Sequence, residues 1–119
     1  MKVFLAHASA FDYKTKLYAP IRASVLNTQH QITLPEERES IWNTKEEIEK
    51  TDLFIADVSI HSTGCGIELG WAHAAGRRIV CIHEKGSKPS EVIVYVSDVL
   101  IEYESPEDLI KKLDHLLSS

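Results

Sequence analysis

The sequence predicts an α/β protein built on an open five-stranded parallel sheet wrapped by helices. Short apolar runs alternate with helical patterns along the whole chain, the order of βαβ units. The third run, LFIADV at 53–58, is apolar nearly throughout, as a central parallel strand covered on both faces must be. The chain closes on SPEDLIKKLDHLLSS, an amphipathic helix with Ser105 as N-cap and Pro106 at its first position.

Taken in order, KVFLA reads as a buried first strand and HASAFDY as the loop that leaves it. From Lys14 to Asn27 the residues Leu17, Tyr18, Ile21 and Val25 recur at helical spacing, and Pro20 either kinks that helix or delays its start. HQITLP is a second strand closed by Pro35. EERESIWNTKEEIEKTD is charged, with Ile41, Trp42 and Ile48 on one face, and reads as a surface helix. After the third strand a helix runs from Ile67 to Ala75 and stops at Gly76. RIVCIH and DVLIEY are the fourth and fifth strands. Between them, 88–96 is strand-like in composition but suits a helix or an irregular lid as well. These elements make a three-layer sandwich of the Rossmann/flavodoxin-like kind, a single domain over 1–119.

At 119 residues the chain is long enough to bury about two-thirds of its unfolded surface. Its charge of -5 argues against a grip on polymeric nucleic acid, while a small anionic ligand stays compatible with it. No run approaches the roughly 20 apolar residues of a membrane span, and MKVFLAHAS lacks the pattern of a signal peptide. Cys65 and Cys81 form no CxxC pair, so the expected setting is the cytoplasm with reduced thiols. The six histidines show no ligand spacing, and neither a metal nor another cofactor is expected.

Ligands of such sheets bind beyond the carboxyl ends of the strands, which selects the loops HASAFDY, SIHSTGCG and EKGSKPS. Ser62, Thr63, Gly64 and Gly66 come just before a helix, either as an anion site or as a plain turn whose glycines supply positive φ. Glu68 falls in the first turn of the predicted helix, where the dipole stabilises the ionised form by about 0.3–1 kcal/mol. It is either a carboxylate for attack on a sugar's anomeric carbon or a first-turn acid kept for stability. Asp57 resembles the phospho-acceptor of receiver domains, but the acidic pair after the first strand and the lysine after the fifth are missing. It is left to hydrogen-bond the loop amides or to reach a ligand hydroxyl. His7 and His61 lie near the ligand edge, His73 reads as a packing residue, and Trp71 reads as a core or dimer contact. Cys65 has no basic partner that would make it a nucleophile.

Taken whole, ADVSIHSTGCGIELGWAHAAGRRIVCI resembles the signature of the nucleoside 2-deoxyribosyltransferase family, nearest its 2'-deoxynucleoside 5'-monophosphate N-glycosidase branch. The shared pattern is an acidic strand end, a serine, two spaced glycines, a glutamate followed by Leu-Gly, and a strand carrying Cys or Val. The resemblance implies that Glu68 is the nucleophile. It implies that Ser62, at a position that is aspartate in transferases acting on free nucleosides, receives a phosphate with Gly64 and Gly66. The loop from His7 to Ser9 would wrap the 5' end, and Ser90 is similar to a serine lent across a homodimer interface. Phe4 stands where the family has a tyrosine near the nucleophile, and Thr44 where it has an aspartate, with Glu46 and Glu47 the nearest carboxylates. The implied activity is N-glycosidase action on a nucleoside 5'-monophosphate or related N-ribosyl compound. The alternatives are a sensor module for a nucleotide or ADP-ribose-like ligand, which Phe4 and Thr44 favour, and cleavage of a larger N-glycoside such as NAD.

Overall fold

The computed structural model of the protein describes residues 1–38 and 43–118. Strands β1 (Lys2–Ala6), β2 (Gln31–Thr33), β3 (Leu53–Asp57), β4 (Arg78–Glu84) and β5 (Val99–Tyr103) form one sheet in the order β2-β1-β3-β4-β5, with every neighbour parallel. The strand order reverses between β1 and β3, so a crevice opens beyond Ala6 and Asp57, where such sheets hold ligands.

All five residues of β3 are buried, and their alternation divides the core in two. Leu53 and Ile55 join Val3, Leu5, Val80 and Ile82 under helices α1 (Ala19–Arg22), α2 (Val25–Gln29) and α5 (Pro106–Leu117). Phe54 and Ala56 join Phe4, Ile79 and Cys81 under α3 (Thr44–Lys50) and α4 (Thr63–Ala74). Each large apolar side chain so buried contributes about 1.5–3 kcal/mol. The last helix has the predicted cap, the Asp108 N–H donating to Ser105 Oγ at 3.1 Å.

The first helical stretch departs from its pattern because of Pro20. The ring of Pro20 would meet the carbonyl four residues back, and it offers no N–H. Residues Lys14–Tyr18 form a wider π turn instead, the Ala19 N–H reaching back to the Lys14 carbonyl. The helix then breaks at Ala23 and Ser24, and α2 restarts with Ser24 Oγ accepting from the Leu26 N–H. The restart resets the rotation, so Val25 is 44% exposed and Leu26 takes the core position at 1%.

The predicted surface helix is shorter than its charge pattern. Pro35–Glu37 is a 3₁₀ turn, and α3 covers only Thr44–Lys50 with Ile48 buried; Ile41 and Trp42 lie outside the described residues. The segment left open at 88–96 contains a 3₁₀ turn, Glu91–Tyr95. Among the described residues no helix is long and apolar enough to cross a membrane.

Candidate functional site

The helix after β3 begins at Thr63, not Ile67, because Ser62 caps it: its Oγ accepts from the Cys65 N–H at 3.2 Å. Gly64 and Gly66 are therefore helical residues of the first turn, and neither has the positive φ that a plain turn would require. A Cβ on Gly66 would meet no atom within 4 Å, and one on Gly64 would only touch Ser62 Oγ at 4.0 Å. What the glycines leave is open space beside a helix N-terminus. Ser62, Cys65, Gly66 and Leu69 line a cavity of about 270 Å³ together with Ser90 and Val92. Ser90 thus lines this cavity within its own chain.

The earlier start moves Glu68 into the second turn, beyond the reach of the helix dipole. The expected stabilisation of its ionised form is replaced by the opposite. Burial pushes the Glu68 carboxyl up to about 7, the charge of Glu36 adds to the rise, and Arg38 opposes it. Gly66 and Glu68 point about 160° apart around the helix, so the serine cavity and the carboxylate occupy two flanks of one N-terminus.

Glu36 and Arg38 belong to the turn after β2, which the sequence reading did not assign to the site. Because β2 is parallel to its neighbours, LPEER emerges at the same sheet edge as the other loops, and that was the signal available. The turn is held from below. The His7 Nδ1–H donates to the Ala8 carbonyl at 2.9 Å, so in the neutral ring Nε2 accepts from the Tyr18 hydroxyl at 2.7 Å. The Tyr18 oxygen in turn accepts the Glu36 N–H at 3.0 Å. Burial raises the Tyr18 pKa, which keeps the phenol protonated as a donor. His7 is buried and stacks on Tyr13 with ring centroids 4.3 Å apart. Both its ring nitrogens are engaged within the protein. Ser9, in the turn after β1, is exposed at the ligand edge.

Asp57 ends β3 fully engaged. Its Oδ1 accepts from the Ser59 N–H at 2.9 Å and its Oδ2 from the Tyr103 hydroxyl at 2.5 Å. Burial raises its pKa, and these bonds counter the rise. Of the two roles open to it, the structure realises the loop bond; Tyr103 was not singled out from the sequence. Phe4 is a core residue, 1% exposed and parallel to Phe54 at 5.7 Å, because mid-strand alternation turns it under α3 and α4. Thr44 opens α3, and of the carboxylates near it Glu47 is paired with Arg38. Cys65 is buried and its thiol is pushed up to about 12 by burial, so it is no nucleophile at neutral pH. His61 reaches the Lys88 carbonyl at 3.2 Å, joining the loops after β3 and β4. His73, expected to pack, is exposed, and Trp71 packs against the α3/α4 side of the core.

No protein-family model matches the chain, and no curated protein sequence matches it. Solved structures do. The CMP N-glycosidase BcmB of Clostridium botulinum is similar at a TM-score of 0.71 and 27% identity, over 96% of this chain and 99% of that one. A 2-deoxyribosyltransferase of Bacillus psychrosaccharolyticus is similar at 0.67 and 19%, over 92% and 90% of the two chains. A conserved protein of Enterococcus faecalis matches at 0.67 and 17%, over 98% of both. The chain therefore has the nucleoside 2-deoxyribosyltransferase-like fold, and the resemblance read from its sequence holds in its structure.

Proposed function

We propose that the protein is an N-glycosidase acting on a nucleoside 5'-monophosphate or a related N-ribosyl compound, with Glu68 as nucleophile. The observation that carries this is the pairing, at the start of one helix, of a cavity in which Ser62 and Ser90 stand among apolar side chains (Val58, Ile60, Leu69 and Ile93) and, on the other flank, the half-buried carboxyl of Glu68. A nucleotide lying across that N-terminus sets its phosphate against Ser62, Ser90 and the first-turn backbone at Gly64, while Gly66, whose N–H donates to the Ser62 carbonyl, leaves room beside it. Its anomeric carbon then faces Glu68. The ionised carboxylate attacks, the base departs, and water hydrolyses the resulting ester. Asp57 shapes this site by holding the loop after β3, and no cofactor is needed for the reaction. The similarity to a CMP N-glycosidase over nearly the whole of both chains supports the same reading.

The working unit in this reading is a cytoplasmic homodimer. Val92, Val94 and Tyr95 are 62%, 69% and 80% exposed on the turn that follows Ser90, and Ile60 and Ile67 are exposed on the neighbouring α4 side. An apolar surface of that kind beside the cavity is suited to a second copy of the chain.

One observation favours a second reading, a sensor module. A carboxyl group pushed up to about 7 is neutral half the time at that pH and does not repel a phosphate as a bare carboxylate would. Chromatography of free base released from ribo- and deoxyribonucleoside 5'-monophosphates, free nucleosides and NAD separates the readings. The N-glycosidase releases base from at least one monophosphate; a module releases none from any of them yet binds one tightly in calorimetry.

A further inference from the structure

The two serines of the cavity arrive on different loops, Ser62 on the loop after β3 and Ser90 on the loop after β4. The first loop is fixed at both ends: the Ser59 N–H donates to Asp57 Oδ1 at 2.9 Å, and Ser62 Oγ caps α4. The second is fixed as far as Ser87. The Ser87 N–H and hydroxyl both donate to the Glu84 carbonyl, at 3.1 and 2.6 Å, and its oxygen accepts from His83 Nδ1 at 3.0 Å. From there the chain reaches Ser90 through Lys88 and Pro89. Among the described residues this dipeptide makes one hydrogen bond, His61 Nε2 donating to the Lys88 carbonyl at 3.2 Å. A carbonyl only accepts, so the bond fixes a proton of His61 on Nε2. His61 also lines the cavity together with both serines.

That one bond sits where it can set Ser90. Proline holds its own φ near about −65° and keeps the residue before it out of the helical region. Lys88 and Pro89 therefore make a stiff arm, and what fixes the Lys88 carbonyl fixes Ser90 two residues on. On its far side Ser90 is held by its carbonyl, which accepts the Ile93 N–H at 3.1 Å, and Ile93 is buried. Resting on the reading of this cavity as the phosphate site, we propose that His61 is a positioning and specificity-determining residue. It latches the loop after β4 to the loop after β3, and so holds Ser90 in register with Ser62 for a single phosphate group. The latch acts on ligands that carry a phosphate and is silent toward those that do not. Glu68 does not line this cavity and is left untouched by it.

The test uses the full chain as wild type, His61→Leu, His61→Gln, Ser90→Ala and the double variant His61→Leu with Ser90→Ala. Leucine removes the donor, while the glutamine amide restores one near the place of Nε2. Calorimetry follows ribose 5-phosphate, 2-deoxyribose 5-phosphate and inorganic phosphate; KM and kcat are measured for nucleoside 5'-monophosphates and free nucleosides. His61→Leu is expected to weaken sugar-phosphate binding and raise the monophosphate KM about tenfold. Its kcat, and its KM for free nucleosides, stay near wild type, and His61→Gln recovers most of the loss. The double variant loses no more than Ser90→Ala alone, because the latch acts through that serine. Equal loss on phosphorylated and free ligands, losses that add in the double variant, or no loss in His61→Leu overturns the latch and leaves the N-glycosidase reading standing. A wild type that releases no base yet binds a sugar phosphate overturns that reading, and the binding data then decide the latch. A wild type that does neither overturns both.

Discussion

The Tyr103 hydroxyl donates to Asp57 Oδ2 at 2.5 Å, tying the end of β5 to the end of β3 across the intervening β4. Both residues are buried, at 2% and 1% exposure, and the other Asp57 oxygen holds the loop that leads to Ser62. Tyr103→Phe leaves a buried carboxylate short of a donor and is expected to cost about 1–3 kcal/mol. Urea denaturation checks it, with the midpoint lowered and the slope unchanged. Because burial raises the Asp57 pKa on folding, its ionisation opposes folding; stability falls as pH rises out of the ordinary carboxylate range, more steeply in the variant.

Glu68 carries the same sign. Its pKa rises from the ordinary carboxylate value of 4.5 to about 7 on folding, so between those values the native state holds a proton that the unfolded chain has lost. The contribution is full below about 4.5 and is lost as pH climbs toward about 7. Glu68→Gln removes that loss and is expected to be more stable than wild type at neutral pH, on the order of 1–2 kcal/mol after discounting for solvent. A melting curve at neutral pH that places the variant below wild type contradicts the burial argument.

The activity limb follows from that same group. A nucleophile must be ionised, so kcat/KM is expected to rise with pH and to level above about 7. Arg38 is the charge that favours the ionised form, while Glu36 and burial oppose it. Arg38→Met is therefore expected to move the limb to higher pH, and a pH profile of the two proteins shows the displacement or its absence.

Much of this was legible before any coordinates. The five strands and the cap at Ser105 follow from local chemistry that the packing leaves alone. The helix ends did not. Ser62 reads as a loop donor until one sees its Oγ accept the Cys65 N–H; the cap puts Glu68 in the second turn, where burial and not the helix dipole sets the direction of its pKa change. Tyr18 reads as one apolar position of a helix and Tyr103 only as the end of a strand, yet their hydroxyls bond the Glu36 N–H and the Asp57 carboxylate. Such long-range bonds leave no trace in periodicity.

Ser62 offers a clean separation of stability from specificity. Aspartate caps a helix as well as serine does, so Ser62→Asp is expected to keep the unfolding free energy within about a few tenths of a kcal/mol of wild type. The added charge repels a ligand phosphate, and the preference for 5'-monophosphates over free nucleosides should fall. KM values for the two substrate classes check this directly.

Whether Glu68 carries out the cleavage is tested most directly by mass spectrometry of protein quenched during turnover of the monophosphate, with Glu68→Gln run in parallel. The account predicts a sugar-phosphate adduct on the peptide that contains Glu68, and no base release by the variant. Base release by Glu68→Gln at the wild-type rate, with no adduct on that peptide, would contradict it.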